Sequence, residues 1–276
     1  STPRPGGVRR RAEPPPWPPR SLMGRLPPGA AAELRELGSG REFPPNTELM
    51  SEGAGDTRVI LLLSGFVTVR RSLAEGGEAL LAVRGPGDVL GELAALDGEP
   101  RSATVRSAGP AVGRVIRADV FRTFLRSRPE VAETLQRVVT GRLRDAVRDR
   151  VDTGVGPARL RLARTLDSLV RNHGVPDARG GLRLAFPLAQ RDMAALAGIS
   201  DAGLQRAVRV LREEGVVTTG YRVWVVHDPE RLRAAADPAS HRCRPPSARK
   251  RSGSTEPRSP LGRPFHRVGA AARTAG

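Results

Sequence analysis

One cysteine, Cys243, in 276 residues leaves no partner for an intrachain disulfide. It also supplies too few thiolates for a zinc knuckle or a cysteine-held iron–sulfur cluster, so redox sensing through such a cluster is excluded. No apolar run approaches 20 residues, and the first residues are Pro- and Arg-rich instead of apolar, so neither a membrane span nor a secretory signal is expected. The expected setting is the cytoplasm, without a membrane partner. Histidine is scarce too, with four copies. His173, His227, His241 and His266 show no ligand spacing with an acid or a cysteine, and all four read as surface or turn residues. No Ser or Cys sits in a nucleophile turn. The pattern argues against an enzyme, with no catalytic residue and no metal ligand expected.

The length suits two modest domains. Lys250 is the sole lysine, and the otherwise all-Arg basic set fits either phosphate recognition or a GC-rich coding bias. The net charge of +17 is uneven along the chain. Residues 1–25 carry six Arg and one Glu, and residues 238–276 carry nine Lys or Arg and one Glu. Between them, 26–153 balances at 18 Arg against 18 acids, whereas 154–237 has 13 Arg against 9 acids. The second half is therefore the better polyanion partner. The ends, with Arg9–Arg10–Arg11 before a proline run and Arg249–Lys250–Arg251 among Ser, Gly and Pro, cannot bury enough apolar surface to offset the entropy of ordering. They read as disordered arms that either hold DNA nonspecifically or remain solvated extensions.

A short helix fits between Leu34 and Leu37. After it the pattern becomes one of short strands and tight turns: Glu48–Leu49–Met50, the apolar run Val59 to Leu63, alternating Val67 and Val69, and a hairpin turn at Glu75–Gly76–Gly77 into Ala79–Val83. Strands at such spacing predict an antiparallel sandwich or jelly roll. From Arg117 the period is helical. Ser127 reads as an N-cap, with Pro129 in the first turn and Glu130 three residues on. Val131, Leu135, Val138/Val139, Leu143, Ala146/Val147 and Val151 then recur every three or four residues. That stripe either packs on its own sandwich or, the reading favoured for its narrowness and charged flanks, also pairs with a second copy. Asp152–Thr153–Gly154 would be the hinge.

Two constellations carry chemistry. In the stretch from Gly87 to Val105, Gly91 lets backbone amides approach a ligand, Glu92 suits a sugar hydroxyl, Arg101 offers a donor fork for phosphate, and Ser102 adds a hydroxyl. The bland alternative is a turn with an Arg101–Glu92 ion pair. In the second half, one helix from Pro157 ends at Asn172–His173–Gly174, and a strand holds Leu182, Leu184 and Phe186. A short helix follows from Gln190 to Ala197, then a turn at Gly198–Ile199, and Ser200 caps a helix to about Glu214. Leu204, Val208 and Leu211 share one face of that helix, leaving Gln205, Arg206, Arg209 and Arg212 elsewhere. With a two-stranded wing ending at Val226, this matches a helix-turn-helix whose second helix enters the major groove.

The 87–105 run resembles the phosphate-binding cassette of cyclic-nucleotide-binding domains. The order of elements over about residues 26–236 resembles the Crp/Fnr family of bacterial transcription regulators. The resemblance implies that Glu92 takes the ribose 2′-hydroxyl, Arg101 and Ser102 the cyclic phosphate, and the Gly91–Glu92 region backbone contacts. The family's cyclic-AMP-dependent members present Thr and Ser to the adenine where this chain has Ala146 and Val147, which cannot hydrogen-bond through their side chains. The effector, cAMP, cGMP or another cyclic nucleotide, would bind with little base selectivity, or the cavity serves as a scaffold only. On the DNA side Ser200 and Arg206 match the family's recognition helix. Asp201 and Ala202 replace its Arg and Glu, so the familiar operator is not expected.

These readings combine into an α+β chain. It has a basic arm over 1–25, a jelly-roll effector domain over 26–126, a dimerisation helix and hinge over 127–153, a winged helix-turn-helix over 154–237 and a basic tail over 238–276. The expected partners are double-stranded DNA, a second copy of the chain and, for an activator, RNA polymerase; no cofactor is required. The competing reading is a cyclic-nucleotide signalling module acting through protein contacts without sequence-specific DNA binding.

Overall fold

The computed structural model describes residues 17–74, 76–154 and 156–237, with the side chains of 148–154 left aside. Most of both expected basic tails, with Cys243, His241 and His266, lies outside the described residues, as does Glu75 of the expected turn. Two short helices, α1 (Leu22–Arg25) and α2 (Pro28–Glu36), lead into the strands β1 (Ser39–Phe43), β2 (Glu48–Met50), β3 (Val59–Ser64), β4 (Val67–Ser72), β5 (Glu78–Arg84) and β6 (Val89–Leu90). Then come α3 (Glu92–Asp97), β7 (Thr104–Ser107), β8 (Ala111–Ile116), α4 (Ala118–Ser127) and the long α5 (Pro129–Gly154).

The strands form two four-stranded antiparallel sheets, β1-β8-β3-β6 and β2-β7-β4-β5. Phe43, Ile60, Leu62 and Leu90 from the first meet Met50, Val67 and Val105 from the second, which is the interior of the expected jelly roll. Val59 and Leu61 point the other way, into a cluster with Leu22, Leu34, Phe121, Val131 and Leu135 of the flanking helices. Strand β3 is thus buried on both faces, which explains its unbroken apolar run in place of alternation.

Part of the expected N-terminal arm is corrected by this packing. Ser21 caps α1 by accepting from Gly24 N–H, and Leu22 and Met23 are buried among helices and sheet. Ser127 does not cap α5 as expected: it is the last residue of α4, and its hydroxyl donates to Phe124 O at 2.9 Å. The proline alone opens α5. The helix also runs through the expected hinge triplet to Gly154.

The second half is built from α6 (Ala158–His173), β9 (Gly174–Pro176), β10 (Leu182–Leu184), α7 (Gln190–Leu196), α8 (Asp201–Glu213), β11 (Val217–Gly220), β12 (Val223–Val226) and α9 (Pro229–Ala235). Its sheet has the order β11-β12-β10-β9, so the wing is the edge of a four-stranded sheet. Leu162, Leu166, Met193, Leu204, Leu211 and Trp224 are among the residues that fill its core. Trp224 Nε1 donates to Leu188 O at 2.9 Å, which satisfies the buried indole and ties the wing to the segment before α7.

The two halves share a seam. Leu80 and Val83 of β5 belong to the second half's apolar cluster, and Arg70 of β4 pairs with Asp192 of α7 at 3.1 Å. Phe66 stacks near Phe186 at 5.1 Å between ring centroids, with His173 edge-on to both. This corrects the surface reading of His173: it is partly buried among aromatic rings. Burial, helped by the Arg84 charge and opposed by Asp88, pulls its pKa down to about 4.

Candidate functional site

Gly91, Glu92, Arg101 and Ser102 line one cavity of about 440 Å³. Gly91 precedes α3 with φ of 75°, and a Cβ there would lie 2.2 Å from Arg101 Nη1, so only glycine fits. The Arg101 side chain is 3% exposed and lies beneath the cassette. Its Nη1 donates to Gly91 O at 3.0 Å, and its Nη2 donates to Asp56 Oδ1 and Arg58 O. Burial works to raise the Asp56 pKa, but the hydrogen bond and charge of Arg101 prevail and hold the carboxyl below its ordinary range. The Arg101 Nε–H is buried with no hydrogen-bond partner among the described residues, while Ser102 is exposed at the cavity.

The bland Arg101–Glu92 pair does not form. Glu92 instead accepts from Arg142 Nη1 at 2.7 Å, and Asp88 accepts from Arg142 Nη2 at 2.9 Å. Arg142 therefore clamps α5 to both sides of β6. Val69, Leu90, Val105 and Leu143 supply apolar wall, and the volume lies within the ordinary range for small-ligand pockets. A cyclic nucleotide fits this donor set: an orphan guanidinium N–H and a hydroxyl for the phosphate, with a carboxylate nearby for the ribose.

In the second half Ser200 accepts from Gly203 N–H at 3.1 Å and caps α8, as expected. Leu204, Val208 and Leu211 are buried, at 1%, 3% and 0% exposure. Ser200, Asp201, Ala202, Gln205, Arg206 and Arg209 are all exposed, so the helix presents a continuous polar edge to solvent. Ala189 gives α7 no side-chain cap, but Gln205 Nε2 donates to Gln190 Oε1 at 2.6 Å and fastens the two helices. At the wing tip Tyr221 is 91% exposed.

A model of the cyclic nucleotide-binding domain matches residues 40–128, and a model of the Crp-like helix-turn-helix domain matches residues 160–235. The cyclic AMP receptor protein of Thermus thermophilus is 31% identical over 180 residues, which cover 65% of this chain and 80% of that protein. The chain belongs to the Crp/Fnr family of transcription regulators. A CRP-like cAMP-activated global transcriptional regulator of Mycobacterium tuberculosis is 29% identical over 205 residues, 74% of this chain and 91% of that one. Among solved structures, FixK2 of Bradyrhizobium japonicum has the same fold, with a TM-score of 0.63 at 21% identity over 73% of this chain and 98% of that chain.

This Crp/Fnr regulator divides its α5 stripe in two. Val131 and Leu135 are 0% and 3% exposed and pack into the chain's own sensor half, and Val139 is partly buried beside them. Leu143 and Val147 are 64% and 58% exposed, and Ala146 is exposed as well. The sequence reading set all six on one dimer seam, but the structure leaves only the distal three open. It also passed over Arg142 and Asp56. Arg142 lies next to a stripe residue and was legible as the charged neighbour of Leu143; Asp56, in an irregular loop, carried no periodic signal. Among the described residues no group of three or more His, Cys, Asp or Glu is placed to hold a metal ion. No helix of the described residues is long and apolar enough to cross a membrane.

Proposed function

We propose that this Crp/Fnr regulator acts as a homodimer that grips DNA with α8 and adjusts that grip to a cyclic nucleotide held in the sensor cavity. The observation that carries the reading is the outward polar edge of α8, from Ser200 to Arg209, set on a helix whose opposite face is locked into the domain core. Ser200 meets phosphate, Arg206 and Gln205 reach base edges, and Arg209 adds a backbone contact. Asp201 accepts from a cytosine amino group and Ala202 meets a thymine methyl, giving an operator different from the usual one.

In the sensor, the phosphate goes to Arg101 Nε and the Ser102 hydroxyl, and the ribose to Glu92. Cyclic AMP is the leading candidate because the relatives' names carry it; cGMP is the comparator. Ala146 and Val147 give no base-reading side chain, so discrimination between the two is weak. Leu143, Ala146 and Val147 face the partner copy, and ligand at the Arg142 clamp biases the pair of helices and so the spacing of two α8 helices over half-sites roughly 34 Å apart. This reading carries with it a cytoplasmic setting, with RNA polymerase as a further partner where the protein activates. Signalling through protein contacts alone is not favoured by the family membership.

Selection from random duplexes with the full chain, run without nucleotide and with cAMP or cGMP, tests the reading. Recovery of an inverted repeat enriched with ligand is expected. Absence of any enriched sequence rejects DNA reading, and equal operator affinity in every condition rejects control by either nucleotide.

A further inference from the structure

A second cleft, of about 320 Å³, lies between α1, the turn after β5, the distal part of α5 and the end of α6. It shares Arg84 and Arg142 with the sensor cavity, but none of Gly91, Glu92, Arg101 and Ser102 lines it. Its charge is one-sided. Arg20, Arg25, Arg84, Arg142 and Arg144 face two carboxylates, Asp88 and Asp145. Arg142 is committed to Asp88 and Glu92, Asp88 also accepts from Gly85 N–H at 3.0 Å, and Asp145 is likewise engaged.

Arg20, Arg25 and Arg84 are different: among the described residues none has a carboxylate within ion-pairing reach. Arg20 donates to Asn172 Oδ1 at 2.9 Å and is exposed at the rim with Arg25 and Arg144. Arg84 is partly buried. Its guanidinium makes one hydrogen bond, from Nη1 to Val83 O at 3.1 Å. Burial and the neighbouring Arg142 charge pull its pKa down to about 10 against Asp88, Glu92 and Asp145, so it remains charged at neutral pH. His173, neutral there, completes the wall. A partly buried guanidinium with no carboxylate in direct contact among the described residues, opening onto a cleft rimmed by three more, is a state that a multiply charged anion relieves.

We propose that this cleft is a second small-molecule site, separate from the cyclic-nucleotide cavity, that takes a compact phosphorylated ligand with at least two negative charges. Arg84 holds the anion at the floor, and Arg20 and Arg25 close over it from the rim. Because the walls come from the sensor half, from α5 and from the end of α6, an occupant fastens the start of the DNA-binding half to the sensor. The proposal stands whichever nucleotide fills the first cavity, and whether or not one does.

Titration calorimetry of pyrophosphate into the full chain at physiological salt tests it. Saturable binding of one pyrophosphate per chain is expected, weakened about tenfold or more in Arg84→Met, the loss of one charge-assisted contact. Arg25→Met, at an exposed position, is expected to weaken it several-fold and keeps the test open should Arg84→Met fold poorly. Unsaturable binding, or equal binding by wild type and Arg25→Met, overturns the proposal. So does an equal loss in Arg101→Met, which would put the anion in the first cavity.

Discussion

Replacing Arg70 by Met and Asp192 by Leu, singly and together, probes the seam between the sensor and the DNA-binding half. The two side chains meet at 3.1 Å and are 16% and 10% exposed. At an effective dielectric near 20, unit charges that close attract by about 5 kcal/mol. Desolvation offsets most of this, leaving a coupling of about 1–2 kcal/mol. The single substitutions are not equivalent. Without Asp192, Arg70 still has Glu78 Oε2 at 4.0 Å; without Arg70, Asp192 has no other cation in ion-pairing reach among the described residues. Arg70→Met is therefore expected to cost about 2–3 kcal/mol and Asp192→Leu about 1 kcal/mol. The chain has two tryptophans, Trp17 in the sensor half and Trp224 in the wing. Urea unfolding followed by fluorescence in a Trp17→Phe background reports on the second half. Equal single costs, or a coupling below about 0.3 kcal/mol, refute the reasoning.

Ser200→Ala removes the α8 cap and is expected to lower stability by about 1 kcal/mol in the same assay, with weaker binding to a selected duplex. Arg206→Ala should weaken a selected duplex far more than random DNA in a salt-matched gel-shift titration; equal losses would mean a phosphate contact only. Leu143→Lys with Val147→Lys puts charge on the exposed distal stripe and should shift sedimentation from dimer to monomer, whereas an unchanged dimer removes this stretch from the interface. His173 gives a pH test. Between about pH 6.5 and about pH 4 the unfolded chain takes a proton there that the folded chain refuses, so stability falls as pH drops through that window, by roughly 2–3 kcal/mol, and His173→Phe should flatten that part of the curve.

What the sequence made legible were the features with a short period or a local cap. The Gly91–Glu92 to Arg101–Ser102 spacing marked the cassette, the Ser200 cap marked α8, and Leu204, Val208 and Leu211 marked its buried face. Features set by contacts across long stretches of chain were not legible. Pro-rich surroundings hid Leu22 and Met23, whose burial depends on helices more than 90 residues away in the chain. Ser127 satisfied the pattern of a cap, but the preceding helix used it first. An apolar stripe shows which face is dry without saying which neighbour dries it, so Val131 and Leu143 looked alike. His173 looked like a helix-end residue until Phe66, more than 100 residues earlier, was found against it.

Strand β5 belongs to the sensor by chain order, yet Leu80 and Val83 fill the interior of the other half. A cut placed in the linker after α5 would look clean on paper and still strip two plugs from the reading head, leaving a bald greasy socket on any fragment that begins near residue 156. Shuffling such a head onto a foreign sensor therefore requires importing these two side chains with it.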